Sequence, residues 1–176
     1  PFGGGPGMVL RPDVMDAALA SIDKLPGRRI YLSPRGKCFD QSVAEALVED
    51  PGVVLICGRF EGLDQRLIDA RKLEEISLGD YVLSGGEIAS LAVLDTCVRL
   101  LPGVLGSKEG LDEESFTKGL LEYPLYTQPR EWQGKTVPEV LLSGHHGDIK
   151  TWQRQQAEMV TRDRRPDLWA RYRGKS

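Results

Sequence analysis

Five consecutive apolar residues, Val53-Val54-Leu55-Ile56-Cys57, constrain this chain most. A strand with no polar alternation leaves no face for water, so it must be covered on both sides. Helical signals flank it: Gln41 to Glu49, ended by Asp50-Pro51-Gly52, and Leu63 to Ala70. Arg29-Ile30-Tyr31-Leu32-Ser33 reads as another short strand followed by a turn at Pro34-Arg35-Gly36, and Glu75 to Leu83 as a further strand region. Asp13 is placed to cap a helix through Lys24. Gly86 to Leu101 reads as a long helix, with Ile88, Leu91, Leu94, Val98 and Leu101 at helical spacing. Strands alternating with helices imply an α/β fold around a parallel sheet.

Three glycine-rich turns punctuate this frame: Gly3-Gly4-Gly5-Pro6-Gly7, Cys57-Gly58-Arg59-Phe60-Glu61-Gly62 and Leu83-Ser84-Gly85-Gly86. Two follow apolar strands. Such turns are either structural, or places where backbone is pressed against a ligand. Ligands in α/β sheets sit at one strand edge, where these turns could converge.

At 40% hydrophobic and 28% charged residues, the 176-residue chain has an ordinary globular composition. No apolar run reaches the length of a membrane span. Cys38, Cys57 and Cys97 stand alone and read as reduced cytosolic thiols. The net charge of −3 hides an asymmetry: residues 147–176 carry eight Lys/Arg against four Asp/Glu, the remainder 15 against 22. The basic segment is either a solvated helix face or a phosphate-binding surface. Ser107 to Ser115 is polar and reads as a mobile linker. Tyr123 to Pro138 reads as irregular backbone, Asp148 to Thr161 as a helix, and Leu168-Trp169 as the start of a further element. Common motifs fail: no P-loop, hydrolase elbow or GxGxxG after a strand is present, and His145-His146 have no partner at metal spacing.

The words Tyr31-Leu32-Ser33-Pro34, Cys57 to Gly62, Glu75 to Glu87, Val104-Leu105-Gly106, Tyr123-Pro124, Val140 to His146 and Arg164-Arg165-Pro166 occur in this order along essentially the whole chain. Together they resemble the bacterial tRNA (guanine-N1)-methyltransferases of the SPOUT class. The resemblance implies a parallel-sheet domain over 1–146 with a C-terminal trefoil knot, a flexible linker at 107–115, and a partial small helical tRNA-binding domain over 147–176. Relatives begin with a strand and helix ahead of the Gly-rich loop and continue beyond the last helix, so the chain reads as a fragment.

It also implies an S-adenosylmethionine site at Tyr31, Leu32, Pro34, Gly58, Phe60, Glu61, Leu78, Gly79, Asp80, Tyr81, Val82, Leu83, Gly85 and Gly86, with Glu61 facing the cofactor ammonium. Guanine N1 is a poor nucleophile until its proton leaves, so a general base is needed. The charge that builds on O6 needs a cation or donor. By resemblance the base is Glu114, where many relatives carry aspartate, and the O6 partner is Arg99. Asp112 and Glu113 stand beside Glu114 as alternatives. Gly3, Gly4, Gly5 and Gly7 are expected near the target base, and Arg154, Arg162, Arg164 and Arg165, with Arg171, Arg173 and Lys175, near tRNA phosphates of the anticodon stem-loop. The resemblance further implies a cytoplasmic homodimer and adds Mg²⁺, for which the sequence offers no ligand motif. Rival functions are a ribose 2′-O-methyltransferase of the same class and a non-catalytic RNA-binding module.

Overall fold

The computed structural model describes residues 1–105 and 108–174, and at Lys108, Glu109 and Asp112 the backbone alone. Gly106, Ser107, Lys175 and the side chain of Asp112 therefore lie outside the described residues. The chain forms two compact units, Pro1–Gly106 and Ser107–Ser176. The sequence reading divided it at 146; compactness divides it at the head of the expected linker, so 107–146 group with the C-terminal helices.

The first unit runs α1 (Pro12–Ser21), β1 (Arg28–Cys38), α2 (Gln41–Glu49), β2 (Val53–Cys57), α3 (Gln65–Arg71), β3 (Glu74–Ser77) and α4 (Gly86–Val98). The sheet order is β2-β1-β3, and both pairings are parallel. Side chains alternate across a strand. Ile30 and Leu32 accordingly join Val43, Leu47, Ile76, Ala89 and Val93 on the α2/α4 face. Tyr31 joins Leu19, Ile56, Leu63, Leu67 and Ile68 on the α1/α3 face. β2 shows why its apolar run is unbroken: Val54 and Ile56 serve one cluster, Val53 and Leu55 the other. Asp40 and Asp64 cap α2 and α3 by accepting backbone N–H bonds from Val43 (3.1 Å) and Arg66 (2.9 Å). The Arg66 guanidinium, more than that backbone bond, holds the Asp64 carboxyl at about 2.

Three expectations about this unit change, and the structure adds which way α4 faces. Asp13 does not cap α1: Pro12 starts the helix, Arg11 is the extended N-cap, and Asp13 instead accepts from the Arg11 guanidinium. Pro34-Arg35-Gly36 is not a terminating turn, because β1 continues to Cys38 and pairs again with β3 beyond an irregularity between Leu32 and Lys37. β3 ends at Ser77, so Leu78 to Leu83 is loop rather than strand. The Ile88–Leu101 stripe of α4 faces outward: Ile88 and Leu91 are 65% and 61% exposed, while the small Ala89 and Val93 are buried against the sheet.

The second unit holds α5 (Lys108–Glu113), β4 (Glu131–Trp132), β5 (Lys135–Thr136), a 3₁₀ turn at Glu139–Leu142, α6 (His146–Arg164) and α7 (Pro166–Arg173). The patternless linker of the sequence reading therefore contains a helix. The expected irregular stretch Tyr123 to Pro138 contains an antiparallel hairpin. α6 is longer than expected, and α7 packs on it. The fully buried Thr161 hydroxyl donates to the Ala157 carbonyl (2.7 Å) and accepts from the Leu121 N–H (2.8 Å), fixing the preceding segment to α6.

Candidate active site

Three segments enclose one concavity of about 350 Å³ beside the parallel sheet. The first is the part of β1 from Tyr31 to Arg35, where its pairing with β3 is interrupted; the second is the loop after β2, Gly58 to Leu63; the third runs from the end of β3, Ser77 to Gly86. Of the cofactor residues expected from sequence, Tyr31, Leu32, Pro34, Gly58, Phe60, Glu61, Leu78, Gly79, Tyr81, Val82, Leu83, Gly85 and Gly86 all line it. Asp80 does not; it is exposed outside the lining. Sequence reasoning missed Ser33, Arg59, Ser77 and Ser84, which also line the space. Their signal was present, since all four lie inside or beside the quoted words.

The glycines of the second loop have a specific cause. A Cβ on Gly58 would stand 2.8 Å from the Tyr31 ring, and one on Gly62 would stand 2.6 Å from its hydroxyl. That hydroxyl accepts the Leu63 N–H at 3.3 Å. These two glycines thus make room for a buried tyrosine that forms a wall of the concavity. Gly86 serves a different approach: its N–H donates to the Gly58 carbonyl at 2.9 Å, and a Cβ there would lie 2.7 Å from the Cys57 backbone. α4 can therefore start directly against the end of β2. Arg59 ties the rims together, donating to the Ser84 carbonyl (3.3 Å) and pairing with Glu87 (3.5 Å). Phe60 is held at φ +58° and is 61% exposed, a strained setting typical of ligand loops.

The Gly-rich N-terminal loop docks on the same rim. The Glu61 N–H donates to the Met8 carbonyl, the Leu10 N–H to the Gly62 carbonyl, and Gly7 lies so close to the Glu61 carboxylate that any side chain would collide with it. Gly3, Gly4 and Gly5 have φ values of +90°, +81° and +117° in open space, leaving their backbone exposed.

The two catalytic candidates lie in different units. Arg99 is half-buried at the C-cap of α4 in the first. Glu114 follows α5 in the second and lines a separate concavity of about 510 Å³ with Lys118, Tyr123, Lys150 and Arg154. Its neighbourhood is fixed by the Ser115 hydroxyl, which accepts the Glu122 N–H at 2.9 Å, and by Thr117, which donates to Leu111. Burial, then the charges of Glu113 and Glu122, push the Tyr123 phenol up, so it stays a donor. Tyr123 belongs to one of the words read from the sequence, whereas packing alone brings Lys118 and Lys150 here. Of the tRNA candidates, Arg154 pairs with Glu158, Arg162 with Asp163 and Arg165 with Asp167, while Arg164 has no ion pair among the described residues. No cluster of three His, Cys, Asp or Glu among the described residues could hold a metal.

A family model described as "tRNA (Guanine-1)-methyltransferase TrmD" matches residues 1–171. The chain belongs to this tRNA (guanine-1)-methyltransferase family. It is 58% identical over 172 residues to the tRNA (guanine-N(1)-)-methyltransferase of Rhodospirillum rubrum, covering 98% of this chain and 72% of that protein. The proteins of that name from Rhodopseudomonas palustris and Ruegeria pomeroyi are 58% identical over 171 residues (97% and 68% covered) and 54% over 175 (98% and 72%). Family membership makes the fold that of the SPOUT class, and the parallel sheet with its loop cluster agrees with it. The chain is a methyltransferase, and S-adenosylmethionine is the cofactor that family implies. No described helix is long and apolar enough to cross a membrane.

Proposed function

We propose that this protein transfers a methyl group from S-adenosylmethionine to N1 of the guanosine immediately 3′ of the anticodon in tRNA. The observation that carries the reading is the convergence of these three segments on one concavity, in a chain of this family. Its size suits a small-molecule site, with apolar walls from Leu32, Leu78 and Leu83 and polar backbone at the rim. Glu61, a lining residue, accepts the cofactor ammonium. When bound, the cofactor supplies an electrophilic methyl group. Glu114 accepts the N1 proton, and Arg99 offsets the charge that develops on O6. The target base has to leave its stack to present N1. The exposed backbone of Gly3 to Gly5, which leads into the rim contact of Gly7 with Glu61, receives that base. A ribose 2′-O-transfer needs no base matched to N1, and the relatives' names do not favour it.

Glu114 and Arg99 act together in a homodimer, each site drawing the loop cluster from one copy and the second unit from the other. The outward Ile88, Leu91, Leu94 and Val98 face of α4 supports a second copy as its cover. The enzyme works in the cytoplasm, where its tRNA substrate is found. No group of three or more His, Cys, Asp or Glu among the described residues gathers where it could hold Mg²⁺.

Hydrogen exchange tests both halves of this reading. Adding S-adenosylmethionine should protect the segments 31–35, 58–63 and 77–86. A helix as short as α5 is marginal alone, so Lys108–Glu113 should exchange fast in the free protein and slow when tRNA is added. Protection of the second unit by the cofactor, with the three segments unchanged, would contradict the assignment.

A further inference from the structure

The β4–β5 hairpin carries chemistry that the methyl-transfer reading leaves unused. Glu131 pairs with Thr136 and Trp132 with Lys135, and the Val137 N–H donates to the Arg130 carbonyl at 3.0 Å. Cross-strand partners share a face and neighbours along a strand alternate. Arg130, Trp132 and Lys135 therefore stand on one face, and the acidic Glu131 on the other. The Arg130 face borders a concavity of about 440 Å³ that includes Tyr126 and Gln128, and none of its described lining residues is a carboxylate. Trp132 is 61% exposed, although an indole is an expensive group to leave in water. Tyr126 is half-exposed and braced from behind by the Trp152 ring at 6.2 Å.

An open indole between two cations, with Glu131 on the opposite face, matches how proteins hold single-stranded nucleic acid: bases stack on aromatic faces while cations meet phosphates. We propose that this hairpin face is a base-stacking platform for a nucleotide of tRNA other than the methylated guanosine, with Trp132 as the stacking surface and Arg130 and Lys135 as phosphate contacts. The proposal rests on the tRNA-methyltransferase reading above and adds a contact outside the transfer site. Charge complementarity points to RNA as the occupant: Arg130 and Lys135 with no lining carboxylate suit a phosphate backbone, and the open indole beside them suits a base.

The test is tRNA binding by the intact protein, measured by anisotropy with a labelled transcript. Base–aromatic stacking is worth roughly 1–3 kcal/mol, so Trp132→Ala should weaken binding about 5- to 150-fold. Trp132→Phe should restore most of the loss. Arg130→Gln and Lys135→Gln should each reduce the slope of log Kd against log salt by about one. Glu131→Gln, on the opposite face, should not weaken binding. A scan of transcripts with single abasic sites should find one position whose loss is not additive with Trp132→Ala. S-adenosylmethionine affinity, thermal midpoint and sedimentation should match the unmutated protein. Unchanged tRNA affinity in Trp132→Ala would overturn the proposal while leaving the methyltransferase reading intact. A shift to monomer would overturn it in favour of a subunit contact. Failure of the unmutated protein to bind tRNA would overturn both.

Discussion

Glu114→Gln should bind S-adenosylmethionine as the unmutated protein does and lose most of its methyl transfer. The amide keeps the shape of the side chain but cannot accept the N1 proton. General-base catalysis contributes about 10²–10⁴-fold, and the single-turnover rate at saturating tRNA and cofactor should fall by that factor. Saturation matters because a binding loss would otherwise look like a chemical one. Glu114→Asp should keep substantial activity, since a carboxylate remains with one methylene less. Glu113→Gln is the control: its carboxylate already pairs with Lys118 at 2.8 Å, in the same concavity. A Glu114→Gln enzyme that transfers at the unmutated rate would move the base to Glu113 or Asp112.

The outward face of α4 carries the second large effect. Leu91 and Leu94 sit on it, 61% and 42% exposed, on a helix whose inner face is already filled by Ala89 and Val93. If a second copy covers that face, Leu91→Glu with Leu94→Glu buries two carboxylates without partners, which no interface tolerates. Sedimentation should show a monomer at concentrations where the unmutated protein is dimeric. Its thermal midpoint should fall only by the stabilisation that dimerisation supplies, and each copy should stay folded because both positions are solvent-facing within one copy. Methyl transfer should be lost with the dimer, since Arg99 and Glu114 would no longer come from the two copies. A dimer of normal activity would show that α4 is not the interface.

These two cases also mark where the sequence was legible. Periodicity finds the apolar stripe of α4 but not the direction it faces. The sheet leaves only enough room for Ala89 and Val93, so the bulky residues face out, and a sequence pattern cannot tell a core from an interface. The strand positions of β1 and β2 were readable because their apolar runs feed both clusters. The end of β1 was not: Pro34-Arg35-Gly36 has turn chemistry, yet pairing with β3 carries the strand past it. At Gly58 and Gly62 the structural and ligand readings turn out to share one cause, since Tyr31 needs both glycines and itself lines the concavity. Gly79 shows why it makes a poor probe of cofactor binding. Its φ of +150° strains any side chain, and a Cβ would reach the Tyr81 ring at 2.9 Å. A valine there would damage the loop and the slot together. Glu114 and Arg99 were invisible to spacing and composition; they entered only through resemblance, because the two residues lie in separate units and no local pattern links them.

The most direct measurement of the central claim is identification of the product. The protein is incubated with methyl-labelled S-adenosylmethionine and a tRNA transcript bearing guanosine 3′ of the anticodon, and the tRNA is then digested to nucleosides. The account predicts label in N1-methylguanosine from that single position, and none when the guanosine is replaced by adenosine. Label in a 2′-O-methylated nucleoside, or transfer that persists after the replacement, would contradict it.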